Sequence, residues 1–209
     1  MDNYSRTIKR EIEACVANKI SDCGLTNKDI EGLVGNPAGT AAKDFVNPAY
    51  VGKISVKDDK VFIRLAYCLT GHQSRAKAAL KNISAVFKAQ KIIIEFTENK
   101  DKYDLRIHGA SLGDLAEGLK SCTCDGMLQI GGWGPHYSHY KWGNALLVNP
   151  HVHQSYWKMS DAHEFGHKLG LRHRNDRGIM SYWDEEKYRR DPRRILPSDR
   201  ARIVGLYAS

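Results

Sequence analysis

Apolar and polar residues alternate along 61–69. Val61, Ile63, Leu65 and Tyr67 fall on one face, and Phe62, Arg64, Ala66 and Cys68 on the other. That two-residue period predicts a strand. The period then changes. Over 74–89 the apolar positions Ala76, Ala79, Leu80, Ile83 and Phe87 follow the spacing of one helix face. Residues 92–97 are rich in β-branched side chains and read as a buried strand. Strand, helix and strand in this order make a βαβ unit, whose two strands should run parallel. Further short strands are expected at 104–108, 127–130 and 145–148, with glycines and polar residues between them. Near the end, Leu196, Pro197, Ser198 and Asp199 precede Ile203, Val204, Leu206 and Tyr207, as in a capped amphipathic helix. The order as a whole predicts an α+β fold.

The first 57 residues carry weaker signals. Ile8, Ile12, Cys15 and Val16 suggest one amphipathic helix, and Thr26 with Asp29 resembles a capping box opening a second. The expected division is therefore an N-terminal helical extension over 1–57 and a main domain over 58–209. The extension reads as an ordinary helical subdomain packed on the sheet or as an inhibitory segment.

Composition narrows the class. With 42% apolar and 27% charged residues among 209, the chain reads as soluble and globular. No apolar run approaches the roughly 18–20 residues that span a bilayer. Met1 to Ser5 shows no charged n-region leading into an apolar stretch, so no signal peptide is expected. A cytoplasmic location or export by a signal-independent route fits. The five cysteines (Cys15, Cys23, Cys68, Cys122, Cys124) are odd in number and are expected mostly reduced. Net charge is +8, spread along the chain apart from one dense run over 187–194. That run reads as a solvated loop or a docking patch for an acidic partner. No nucleic-acid partner is expected, and a monomer is.

Residues 163–173 carry the chemistry: His-Glu-Phe-Gly-His-Lys-Leu-Gly-Leu-Arg-His. Positions four apart on a helix lie one above the other, so His163 and His167 can face one ion. Zinc accepts neutral imidazole nitrogens and prefers a tetrahedral shell. Glu164 is turned about 100° around the axis, so it can flank the metal without ligating it. That is the position for a base acting on a zinc-bound water. Gly170 can end the helix with positive φ, and His173 can then return as the third ligand. Three protein ligands leave one position open, as in a catalytic site. At this composition, His-Glu-x-x-His alone would arise by chance in roughly 2% of shuffled chains. The added glycine and third histidine lower that to roughly one in ten thousand.

Downstream lies Gly178-Ile179-Met180-Ser181-Tyr182-Trp183. The extended zinc motif followed shortly by this methionine resembles the metzincin clan of zinc metallopeptidases. The run around Met180 is similar to the serralysin and astacin branches. The Glu-Phe-Gly-His run over 164–167 matches matrix metalloproteinases. The resemblance covers roughly 58–209. It implies a twisted mixed five-stranded sheet with an active-site helix and a small C-terminal subdomain. It also implies that Met180 forms an apolar floor beneath the metal. Tyr182 would either ligate zinc at rest and then hydrogen-bond the tetrahedral intermediate, or pack beside the substrate pocket. An antiparallel edge strand two before the zinc helix would pair with extended peptide, and Met127, Leu128, Gln129 and Ile130 are the candidates. The chain departs from serralysins in carrying Arg174 after the third histidine and in lacking glycine-rich calcium-binding repeats.

The expected function is that of a single-zinc endopeptidase acting on protein or peptide substrates, with Glu164 and Tyr182 as catalytic residues. Two other readings remain open: a peptidase of peptidoglycan crosslinks, suited by the basic charge, and a non-catalytic zinc-stabilised binding module. His136, His139, His151 and His153 form a second histidine-rich region. It reads as an aromatic loop beside the cleft or as a structural metal site. Cys23-Gly24 bears a faint likeness to the cysteine switch of matrix metalloproteinases, without its flanking residues.

Overall fold

A computed structural model of the chain describes residues 44–111, 114, 132–133, 143–150, 154–172, 178–180 and 194–207. Its centre is the alternating segment. Strand β2 (Lys60–Gly71) buries Val61, Ile63 and Leu65 while Arg64 between them stays exposed. Strand β1 (Ile54–Lys57) precedes it, paired antiparallel with Lys57 opposite Lys60. The two-residue link, Asp58 and Asp59, has positive φ at both positions (49° and 55°). That is the turn whose twist suits a tight hairpin, and aspartate tolerates it better than most residues.

Helix α1 (Gln73–Lys88) connects β2 to the parallel strand β3 (Ile92–Glu98). It buries Ala76, Ala79, Leu80, Ile83, Val86 and Phe87, the stripe expected from the sequence with Val86 added. Strand β4 (Leu105–Gly109) runs parallel to the far half of β2, and β6 (Ala145–Val148) runs parallel to β4. Strand β5 (Gly132–Trp133) pairs antiparallel with β6 and ends the row.

The sharing of edges on β2 follows from the register. Val61 is opposite both Val56 and Ile92, and Tyr67 is opposite both Glu98 and Leu105. A strand has two edges, so β1 and β4 lie end to end along one, and β3 occupies the other. The row is thus β3, β2, β4, β6, β5, with β1 added beside β4. The fold is α+β, as expected. Among the described residues the sheet has six strands, one of them over 54–57, which the sequence pattern places in the N-terminal extension. Residues 1–43 of the extension lie outside the described residues.

Helix α2 (Gln154–Lys168) packs on α1, and both pack on the sheet. Phe165 of α2 meets Phe87 of α1 and Phe96 of β3 edge to face, with ring centroids 5.5 and 6.1 Å apart. Helix α3 (Pro197–Tyr207) lies against β1. Buried Asp199 in its first turn accepts the Leu196 backbone N–H at 2.9 Å, closing the helix start as the sequence suggested. No helix among the described residues is long and apolar enough to cross a membrane.

A buried ion pair joins the two large helices. Arg75 of α1 reaches Asp161 of α2 with both terminal nitrogens, and its Nε donates to the Asn149 carbonyl at 3.1 Å. Asn82 donates to the same carboxylate at 2.7 Å, and the guanidinium lies over the Trp157 ring at 4.3 Å. Burial raises the Asp161 pKa, while Arg75 and Asn82 oppose the rise. The fork points Asp161 at α1, which sets the rotation of α2 about its axis. Arg75→Met should therefore cost about 3–5 kcal/mol by leaving a carboxylate buried alone. The double variant Arg75→Met/Asp161→Leu should recover most of that in denaturant unfolding.

Candidate metal centre

The rotation of α2 decides what its last two turns present. His163 and His167 are half-buried, with ring centroids 4.8 Å apart and ring planes at 90°. Two imidazoles on one tetrahedral ion, at metal–nitrogen distances of about 2 Å, stand with centroids roughly 5 Å apart. The pair therefore has the spacing of joint ligation.

The hydrogen bonds settle which nitrogen each ring can offer. His163 Nδ1 lies 2.6 Å from the Ile179 carbonyl oxygen, and His167 Nδ1 lies 2.9 Å from the Leu171 carbonyl oxygen. A carbonyl only accepts, so each Nδ1 must carry the ring proton. In a neutral ring the lone pair is then on Nε2. Histidines that bind metals are held in this way, with the second nitrogen donating to a carbonyl or carboxylate. Two imidazole nitrogens are donors of a kind that zinc accepts.

Two glycines place those carbonyls. Gly166 lies between the histidines, and a Cβ there would stand 2.3 Å from the sulfur of Met180. The fully buried methionine thus packs directly on the helix backbone, and Ile179 beside it supplies the acceptor for His163. Gly170 has φ +83°. There the Gly170 N–H donates to the His167 carbonyl and the Leu171 N–H to the Gly166 carbonyl, both at 3.0 Å. This is the paired closure of a helix ended by a left-handed residue. The turn swings the Leu171 carbonyl back onto His167. A Cβ on Gly170 would lie 1.8 Å from the Phe45 carbonyl oxygen, so only glycine fits.

Glu164 is buried, at 4% exposed, on the same helix turn. One turn further, Lys168 is also buried and donates to the Gly143 carbonyl at 2.6 Å. Burial pulls its pKa down to about 7; the Glu164 carboxylate opposes the shift and Arg106 adds to it. Sequence reasoning missed Lys168, because glutamate followed four residues later by lysine reads as an ordinary surface pair.

His163, Glu164, His167 and Met180 are thus brought together. His173, Tyr182, and the edge candidates Met127, Leu128, Gln129 and Ile130 lie outside the described residues, as do His136, His139, His151, His153, Cys23, Cys122 and Cys124. Among the described residues, no group of three or more metal-binding side chains occurs. Beyond β6 the described strand is β5, with Gly132 opposite Val148 and Trp133 opposite Leu147.

Gly170→Ala should destabilise the protein more than Gly166→Ala. The first new methyl meets fixed backbone at a strained φ, whereas the second meets a methionine side chain that can shift. Overpacking of the second kind costs about 1–3 kcal/mol. Thermal unfolding of the two variants gives the order directly.

In comparisons with known proteins, no family model matches the chain and no curated protein does. The case for the centre rests on its own geometry.

Proposed function

We propose that the protein is a zinc-dependent endopeptidase of the metzincin type. The observation that carries the reading is the pair of Nδ1 bonds, which leaves two Nε2 lone pairs one helix turn apart beside a buried glutamate. A helix carrying incidental surface histidines would have no need of both rings fixed in one tautomer. The methionine packed under Gly166 and the antiparallel strand next to β6 add support. His173 is the third ligand in this reading.

When bound, zinc supplies a Lewis acid that polarises the scissile carbonyl and acidifies a coordinated water. Glu164 takes the proton from the attacking water and returns it to the leaving amine. Tyr182 donates a hydrogen bond to the oxygen that gains charge. The side of β5 turned away from β6 pairs with the substrate backbone as an added strand, so extended peptides are preferred over folded ones.

The basic charge supports a second substrate class, the peptide crosslinks of an anionic cell wall. Purified wall and unfolded protein, digested in parallel, separate the two. A purely structural zinc module is disfavoured by Glu164, because such a site needs no buried carboxylate beside its ligands.

Glu164→Gln should bind one zinc per chain as the parent does and lose at least about 1000-fold in turnover, the scale of a lost proton-transfer group together with its charge. Fragments from the parent digest should show internal cuts by mass spectrometry. Full proteolysis by the purified variant would refute the assignment of the base.

A further inference from the structure

The carbonyl that holds His167 belongs to a peptide unit that is itself gripped from the other side. Leu171 C=O and Arg172 N–H are the two polar ends of one planar peptide, pointing in opposite directions. The carbonyl end faces His167 Nδ1 at 2.9 Å. The N–H end donates to Asp44 Oδ1 at 3.0 Å. Asp44 is in turn held by Arg202 of α3, whose Nε donates to Oδ2 at 2.6 Å and whose Nη2 donates to Oδ1. The same Nη2 donates to the Arg172 carbonyl at 3.0 Å, and Nη1 to Asp199 at 3.3 Å.

The neighbouring units are fixed as well. The Phe45 N–H donates to the Gly170 carbonyl at 3.0 Å, and the Asn47 side chain to the Lys168 carbonyl at 2.9 Å. The Tyr207 hydroxyl donates to the Leu169 carbonyl at 3.2 Å and accepts the Asn47 N–H at 2.8 Å. The Arg172 guanidinium lies over the Phe45 ring at 4.6 Å. The carbonyls leaving α2 are thus bonded to residues 45–47 and to α3. Asp44 and Arg202 are only 22% and 13% exposed, so their pairing is partly shielded from water.

We propose that Asp44 is a positioning residue for the metal centre, acting on His167 through the Leu171–Arg172 peptide. The inference rests on the zinc reading above. A carboxylate bound directly to a ligating histidine fixes its ring and raises its basicity. Here the carboxylate acts one peptide further out. Its negative charge draws on the Arg172 N–H, makes the Leu171 oxygen a stronger acceptor, and so holds the proton on His167 Nδ1. His163 has a different support, the Ile179 carbonyl, and serves as a control within the same protein.

The test follows the imidazole nitrogens of the full chain by long-range proton–nitrogen correlation, with and without added zinc. Asp44→Ala should shift His167 towards a mixture of tautomers and leave His163 as it was. Asp44→Asn, which keeps an oxygen acceptor without the charge, should lie between. Zinc affinity, measured by competition with a chelator, should fall about tenfold in Asp44→Ala. Arg202→Lys, which keeps the charge and loses the fork, should weaken zinc less than Asp44→Ala and gives a second measurement if that variant unfolds. Equal shifts at both histidines, or none at His167, would overturn the proposal. Failure of zinc to move either Nε2 in the parent protein would instead overturn the zinc reading, while the effect on the His167 tautomer could still be read in the metal-free protein.

Discussion

A neutral imidazole has one proton and one lone pair, and the place of the proton decides where the lone pair points. In this protein the proton is pinned twice by backbone carbonyls, on His163 by Ile179 and on His167 by Leu171. Neither carbonyl belongs to α2. One comes from the segment that packs Met180 against Gly166, and the other from the turn beyond Gly170. The rest of the described structure holds those two backbone segments against one helix face. The Arg75–Asp161 fork sets the helix rotation from the α1 side. The strap at 44–47 and helix α3 hold its exit.

The parts legible in sequence are those with a local period. The strand alternation over 61–69, the helical stripe after 74 and the four-residue histidine spacing each depend on neighbours a few positions away. All reappear as β2, α1 and α2 with boundaries shifted by a few residues at most, apart from the start of α2. The glycine stop was legible for the same reason. Strand β1 was not, because Ile54, Ser55, Val56 and Lys57 alternate over only four residues, and of these only Ile54 is buried. Its place comes from the Asp58–Asp59 turn and from pairing with β2.

Long-range polar contacts leave even less trace. Arg75 and Asp161 sit in helical segments where charged residues usually face water, yet both are buried. Lys168 follows the same pattern. Asp44 and Arg202 are 158 positions apart, and neither lies in a motif. What these residues share is partnership across the fold, which no window of sequence displays. The motif thus showed the candidate ligands His163 and His167, whereas the groups that orient them emerged only from three-dimensional contacts.

The joint between the strap and α3 has a consequence for biosynthesis. The bond between Asn47 and Tyr207 spans 160 residues, so it is among the most non-local contacts in the chain. A nascent polypeptide that ends just after α2 still lacks Arg202 and Tyr207. Its helix exit is then without two of its anchors, and Asp44 is without the guanidinium that holds it. Fixing of the turn beyond α2 is in this way tied to synthesis of α3, which follows it in the chain.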